Sequence, residues 1–132
     1  MKIKFLIVDD SAVMRKMIIQ AIYKGNIFNE ENTEMFQAGN GAQGVEMFTN
    51  FQPQIVLSDW NMPVMDGLEM VKKIRDIDKK VPIIMITTEG TEDKMNEALQ
   101  QGLATYYLVK PLKPGSLEEK LTKAFQALKA GL

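Results

Sequence analysis

A chain of 132 residues with no cysteine and no histidine has room for one full hydrophobic core, yet it excludes whole classes of chemistry. It can build no disulfide, thiolate nucleophile or imidazole metal site, no serine–histidine triad, and no phosphohistidine of its own. Its 16 Lys and Arg against 17 Asp and Glu leave a net charge of −1, which lacks the surplus positive charge of non-specific nucleic-acid binding.

The apolar run Phe5–Val8 is followed at once by two aspartates, far short of a membrane span or signal-peptide core. The chain therefore reads as one soluble, cytoplasmic domain over residues 1–132. That first run is continuously apolar, as a strand buried on both faces should be. Ser11 caps a helix carrying Met14, Met17, Ile18, Ala21 and Ile22 at helical spacing to about Lys24. The segment from Gly25 to Asn32 is polar and turn-rich. Thr33 to Ala38 has the mixed polarity of a strand at a sheet edge. Gly39-Asn40-Gly41 turns into a helix with Ala42, Val45 and Phe48 on one face, and Pro53 precedes the strand Ile55-Val56-Leu57.

Ser58-Asp59 ends that strand, because Trp60-Asn61-Met62-Pro63 cannot continue it, and Asp66-Gly67 opens a third helix marked by Met70, Val71, Ile74 and Ile77. Pro82 introduces the strand Ile83–Ile86. Thr91 caps a fourth helix whose first turn holds Glu92 and Asp93, where acids suit the helix dipole. Met95, Ala98 and Leu99 face inward, and Gly102 ends the helix. Tyr106 to Val109 is the fifth strand. Pro114 stands near the start of a last helix with Leu117, Leu121, Ala124, Phe125 and Leu128 inward. Five strand-then-helix repeats predict an α/β fold, a parallel doubly wound sheet with helices on both faces. Such sheets bind ligands at the carboxyl ends of their strands.

Four of those ends carry polar groups: Asp9-Asp10, Asp59, Thr87 and Lys110. Three carboxylates on adjacent strand ends repel one another unless a cation bridges them. Mg²⁺ suits hard oxygen ligands and keeps positions open for water and phosphoryl oxygens. Lys110 adds a point charge for a phosphoryl oxygen and Thr87 a hydroxyl donor, a set that serves phosphoryl transfer by positioning and electrostatics. Asp59, single and central, is the carboxylate placed to become an acyl phosphate. Each piece alone has a plainer reading. Asp9-Asp10-Ser11 can be a helix-capping cluster, Thr87 a hydroxyl bonded to backbone, and Lys110 a solvated loop lysine. Tyr107 can be a half-buried aromatic, Glu89 a solvated acid leading a helix, and the ten methionines core filling. Four complementary groups on one edge of one sheet favour the joint reading.

In Val8-Asp9-Asp10-Ser11, Ser58-Asp59-Trp60-Asn61-Met62-Pro63, Met65-Asp66-Gly67, Thr87 and Lys110-Pro111, the chain resembles the response-regulator receiver domains, and among them the stand-alone chemotaxis regulators. The resemblance implies a flavodoxin-like sheet of order 2-1-3-4-5 with five helices. It implies phosphorylation of Asp59 by a histidine kinase, and Mg²⁺ held by Asp10, Asp59 and the backbone carbonyl of Asn61, with Asp9 acting mostly through water. Thr87 and Tyr107 match the family's switch pair and Lys110 its lysine. That family's Lys-Pro bond is commonly cis, which sets the same expectation for Lys110-Pro111. Asn61 and Glu89 stand two residues past Asp59 and Thr87, where they would tune hydrolysis of the phosphoryl group. The implied molecule is a monomeric phospho-acceptor switch in chemotaxis, and not an enzyme beyond its own phosphorylation and dephosphorylation. Its partners would be the kinase, a downstream target such as the flagellar motor switch, and a phosphatase, with no nucleic acid or membrane. Two alternatives are a single-domain phosphorelay intermediate and a haloacid-dehalogenase-like phosphohydrolase. The latter wants a second Asp where Asn61 stands.

Overall fold

In the computed structural model, which describes residues 2–131, the strand and helix stretches read from the sequence all form. They are β1 (Ile3–Val8), α1 (Ala12–Lys24), β2 (Thr33–Ala38), α2 (Gly41–Phe51), β3 (Ile55–Ser58), α3 (Gly67–Ile77), β4 (Ile83–Thr87), α4 (Glu92–Leu99), β5 (Tyr106–Val109) and α5 (Ser116–Ala130). Every strand pairing is parallel and the order is β2-β1-β3-β4-β5. The expected order is thus borne out, with β2 on an edge as its mixed polarity requires.

Alternate residues of the central strands feed two core layers. Leu6, Val8, Val56, Ile83 and Met85 meet Phe48, Met70, Val71, Ile74 and Ala98 from α2, α3 and α4. Phe5, Ile7, Ile55, Leu57, Ile84 and Ile86 meet Ile18, Ile22, Leu117, Leu121 and Ala124 from α1 and α5. β1, β3 and β4 carry apolar side chains to both layers, each worth about 1.5–3 kcal/mol when fully buried. The continuously apolar runs need both layers.

Three helix starts follow their expected caps. Ser11, Asp66 and Thr91 accept from the backbone N–H of Met14, Glu69 and Lys94, each satisfying one donor that a helix start leaves free. Elsewhere the packing departs from the sequence reading. Met17 is 56% exposed, because the buried stripe of α1 runs through Ile18 and Ile22, a hundred degrees away around the helix. Ile77 is 55% exposed at the last position of α3, where the helix has passed its inward stripe. The fourth helix stops at Leu99 rather than Gly102, and a 3-10 turn over Gln100–Gly102 follows, closed by Gly102 at φ 72°. Phe28, in the polar segment after α1, is buried and packs edge-on against Phe5 and Phe125 at 5.0 and 5.3 Å between ring centres.

One glycine sets the spacing at the head of β3. The Gly67 N–H donates to the Trp60 carbonyl over 2.7 Å. A Cβ on Gly67 would stand 2.0 Å from the Asp59 carbonyl oxygen and 2.9 Å from the Trp60 Cα. Backbone cannot yield as a flexible side chain can, so only glycine lets α3 start this close. Gly67→Ala should lower stability to urea by about 1–3 kcal/mol. Gly131→Ala, whose Cβ would meet nothing nearer than 3.6 Å, should change it little. Equal stability of the two variants would show that the approach is looser than this.

Candidate functional site

The ladder of the sheet delivers the polar residues to one edge. Val8 pairs with Ser58, and Thr87 with Val109, so Asp9, Asp59 and Lys110 each come one residue past a paired position. Backbone bonds extend the alignment: Asp9 N–H to the Ala38 carbonyl at 3.1 Å, Asp59 N–H to Val8 at 2.9 Å and Lys110 N–H to Thr87 at 2.8 Å. β5 lies two strands from β3, about 10 Å away, a span the lysine stem can bridge.

The Lys110 ammonium lies 3.0 Å from Asp9 Oδ2 and 3.1 Å from Asp59 Oδ2, with all three side chains largely buried. The remaining oxygen of each carboxylate accepts a backbone N–H: Asp9 Oδ1 from Ser11 at 2.9 Å, Asp59 Oδ1 from Trp60 at 2.7 Å. Burial works to lower the Lys110 pKa, but its bonds to Asp9 and Asp59 and their charges outweigh it, and the net direction is upward. Asp10 is exposed, yet oxygens of Asp9, Asp10 and Asp59 all lie within 4.8 Å of one another. Three hard oxygen donors against one ammonium fit a small divalent cation.

Thr87 is fully buried, and its Oγ1 accepts the Glu89 N–H at 3.3 Å. The Tyr107 hydroxyl donates to the Glu89 carbonyl. Thr87 and Tyr107 thus meet through the backbone of one residue. Asn61 Nδ2 donates to Glu89 Oε1 at 2.7 Å, so the two residues expected to tune hydrolysis are bonded to each other. The expected Lys110-Pro111 cis bond is present. Sequence reading missed two further contacts. Lys94 stands over the Trp60 ring, 4.9 Å from its centre. Arg75, buried on α3, donates to the carbonyls of Gly102, Leu103 and Asp78. An arginine on a helix carries no sequence mark of burial, and a cation–ring pair 34 residues apart carries none of contact.

A five-stranded parallel sheet with an acidic cluster and one lysine at its carboxyl edge defines a class, and residues 5–122 match the response regulator receiver domain. The chain belongs to that family, whose members are signalling switches of two-component systems. It is 40% identical over 122 residues to the chemotaxis protein CheY homolog of Campylobacter jejuni, covering 89% of this chain and 88% of that one. Against chemotaxis protein CheY1 of Helicobacter pylori it is 40% identical over 121 residues, with 89% and 93% covered. The CheY chain in a CheX–CheY–BeF3–Mg complex from Borrelia burgdorferi superposes with a TM-score of 0.81 at 28% identity, over 93% of this chain and 89% of that one. The resemblance read from the motifs is borne out. Among the described residues no helix is long and apolar enough to cross a membrane.

Burial, with the charges of Glu89 and Asp59, pushes the Tyr107 hydroxyl up from 10.0 to about 12. A raised pKa means that folding favours the protonated phenol. The resulting stability is complete below the ordinary value and is lost as pH climbs through the folded one. Between about pH 10 and 12 the wild type should therefore lose more stability than Tyr107→Phe, followed by urea unfolding. Tyrosinate absorbance should show one of the three tyrosines ionising late, and that late step should vanish in Tyr107→Phe. Identical titrations would refute the assignment.

Proposed function

We propose that this chain is a phosphorylation-controlled docking switch acting in chemotaxis, and that Asp59 carries the phosphoryl group. The observation that carries the reading is the placement of Asp59 at the end of the central strand, in contact with Lys110 and within the acidic cluster. An Asp59 oxygen attacks the phosphorus of a phosphohistidine on a partner kinase. The P–N bond breaks, its electron pair returns to the imidazole, and an acyl phosphate remains on Asp59.

Asp10, Asp59 and the Asn61 backbone carbonyl would hold Mg²⁺, with Asp9 acting through water, and the ion would neutralise charge on the phosphoryl oxygens. Lys110 is placed to turn from Asp59 to a phosphoryl oxygen, keeping its bond to Asp9. The Thr87 hydroxyl donates to another oxygen, and its inward position leaves room for the Tyr107 ring, favouring the arrangement in which Tyr107 is bonded to the Glu89 carbonyl. This couples the acceptor to a docking face built from α4, β5 and α5. Such coupling shifts populations only as far as the phosphoryl group prefers one state. Asn61 and Glu89, joined across the mouth, govern the access of hydrolytic water.

The names of the Campylobacter and Helicobacter relatives support chemotaxis as the pathway. A histidine kinase is then the donor, the flagellar motor switch the target, and a phosphatase the partner that resets a monomeric, cytoplasmic single domain. With acetyl phosphate and Mg²⁺, intact-protein mass spectrometry should show one phosphoryl group on the wild type and none on Asp59→Asn. Equal labelling of that variant would overturn Asp59 as the acceptor.

A further inference from the structure

Trp60 and Asn61, adjacent in the loop after β3, each hold one residue of the segment that runs from β4 into α4. Asn61 bonds Glu89, and the Lys94 ammonium stands 4.9 Å from the centre of the Trp60 ring. That distance is inside the roughly 6 Å over which an indole face attracts a cation. The indole is a fixed platform. It is 5% exposed and belongs to the core layer beneath α3 and α4, and its own backbone N–H donates to Asp59.

Lys94 is the third residue of α4, after Glu92 and Asp93. A cation in the first turn opposes the helix dipole, where the two acids beside it are favoured, so helix stability does not account for it. The ring contact does. At the first of these holding points, the Glu89 backbone also accepts from Tyr107 and donates to Thr87. The structure that places Lys94 over Trp60 also has Tyr107 bonded to Glu89.

We infer that Lys94 is a positioning residue for the switch: its ammonium on the Trp60 ring ties the start of α4 to the residue after Asp59 and favours the arrangement with Tyr107 turned in to Glu89. A contact biases an equilibrium only toward the state that makes it. Loss of the ammonium therefore lowers the share of the Tyr107-inward state. The link to phosphorylation rests on the proposed role of Asp59; the link between Lys94 and Tyr107 does not.

The test compares Lys94→Met, which keeps an apolar stem, with Lys94→Arg, which keeps a cation able to stack on indole. Lys72→Met, at an exposed position on α3, removes the same charge elsewhere. Trp60, the sole tryptophan, reports the contact by its emission, and fluorotyrosine NMR reports the inward share of Tyr107 in metal-free protein. Lys94→Met should shift the emission and lower the inward-to-outward ratio about two- to fivefold, the range expected for a contact of this class. Lys94→Arg and Lys72→Met should both stay near wild type. Beryllofluoride with Mg²⁺ should then bind Lys94→Met more weakly, by the factor through which the inward fraction has fallen. An unchanged Tyr107 ratio in Lys94→Met would overturn the inference, as would an equal drop in Lys72→Met. If beryllofluoride fails to act on the wild type, the proposed role of Asp59 fails, while the metal-free Tyr107 ratios still decide the role of Lys94.

Discussion

The ammonium of Lys110 between Asp9 and Asp59 is the interaction on which the carboxyl edge of this sheet depends. Two carboxylates within 4.8 Å of each other repel by about 3 kcal/mol at an effective dielectric of about 20. At 3.0 and 3.1 Å one ammonium attracts each of them by about 5 kcal/mol on the same scale. Desolvating three ions costs several kcal/mol apiece. These sums nearly cancel. The arrangement therefore contributes little net stability and leaves two of the three carboxylate charges uncompensated, a condition that a divalent cation can relieve.

Holding such a balanced cluster in place falls to the backbone. β1 and β3 are buried on both faces, and the layers of α2, α3 and α4 on one side and α1 and α5 on the other fix their register. Asp9 and Asp59 then have little freedom, since each also accepts a backbone N–H from its own loop. Gly67 brings the start of α3 against the Asp59 carbonyl. On the other side, Thr87, Glu89 and Tyr107 share hydrogen bonds through one backbone segment. For the proposed switch, a rigidly held carboxylate beside a segment that rearranges would be a workable design.

Much of this is legible in the chain because it depends on local rules. A continuously apolar run that ends in a polar residue names a buried strand and its carboxyl end together, as in Phe5–Asp10 and Ile55–Asp59. Ser11, Asp66 and Thr91 declare themselves as caps by residue type and by the helical spacing of the apolar residues after them. The mixed polarity of Thr33–Ala38 is enough to place β2 at an edge without any pairing being known. Phe28 is illegible because its neighbours are polar, and only the meeting of Phe5 and Phe125 from distant parts of the chain gives it a pocket. Met17 and Ile77 have the residue type of a core but the wrong angle or height on their helices. The Asn61–Glu89 and Trp60–Lys94 contacts depend on how two loops lie side by side, and no periodicity encodes that.

Urea unfolding of wild type and Lys110→Met at low ionic strength, each with and without Mg²⁺, tests most directly whether charge balance at the strand ends governs the site. Without Mg²⁺, Lys110→Met should lose about 3 kcal/mol, because Asp9 is then buried beside Asp59 with no counter-charge. Mg²⁺ should return much of that loss and stabilise the variant more than the wild type. A Lys110→Met protein as stable as wild type without Mg²⁺, with both responding alike to the ion, would contradict the account.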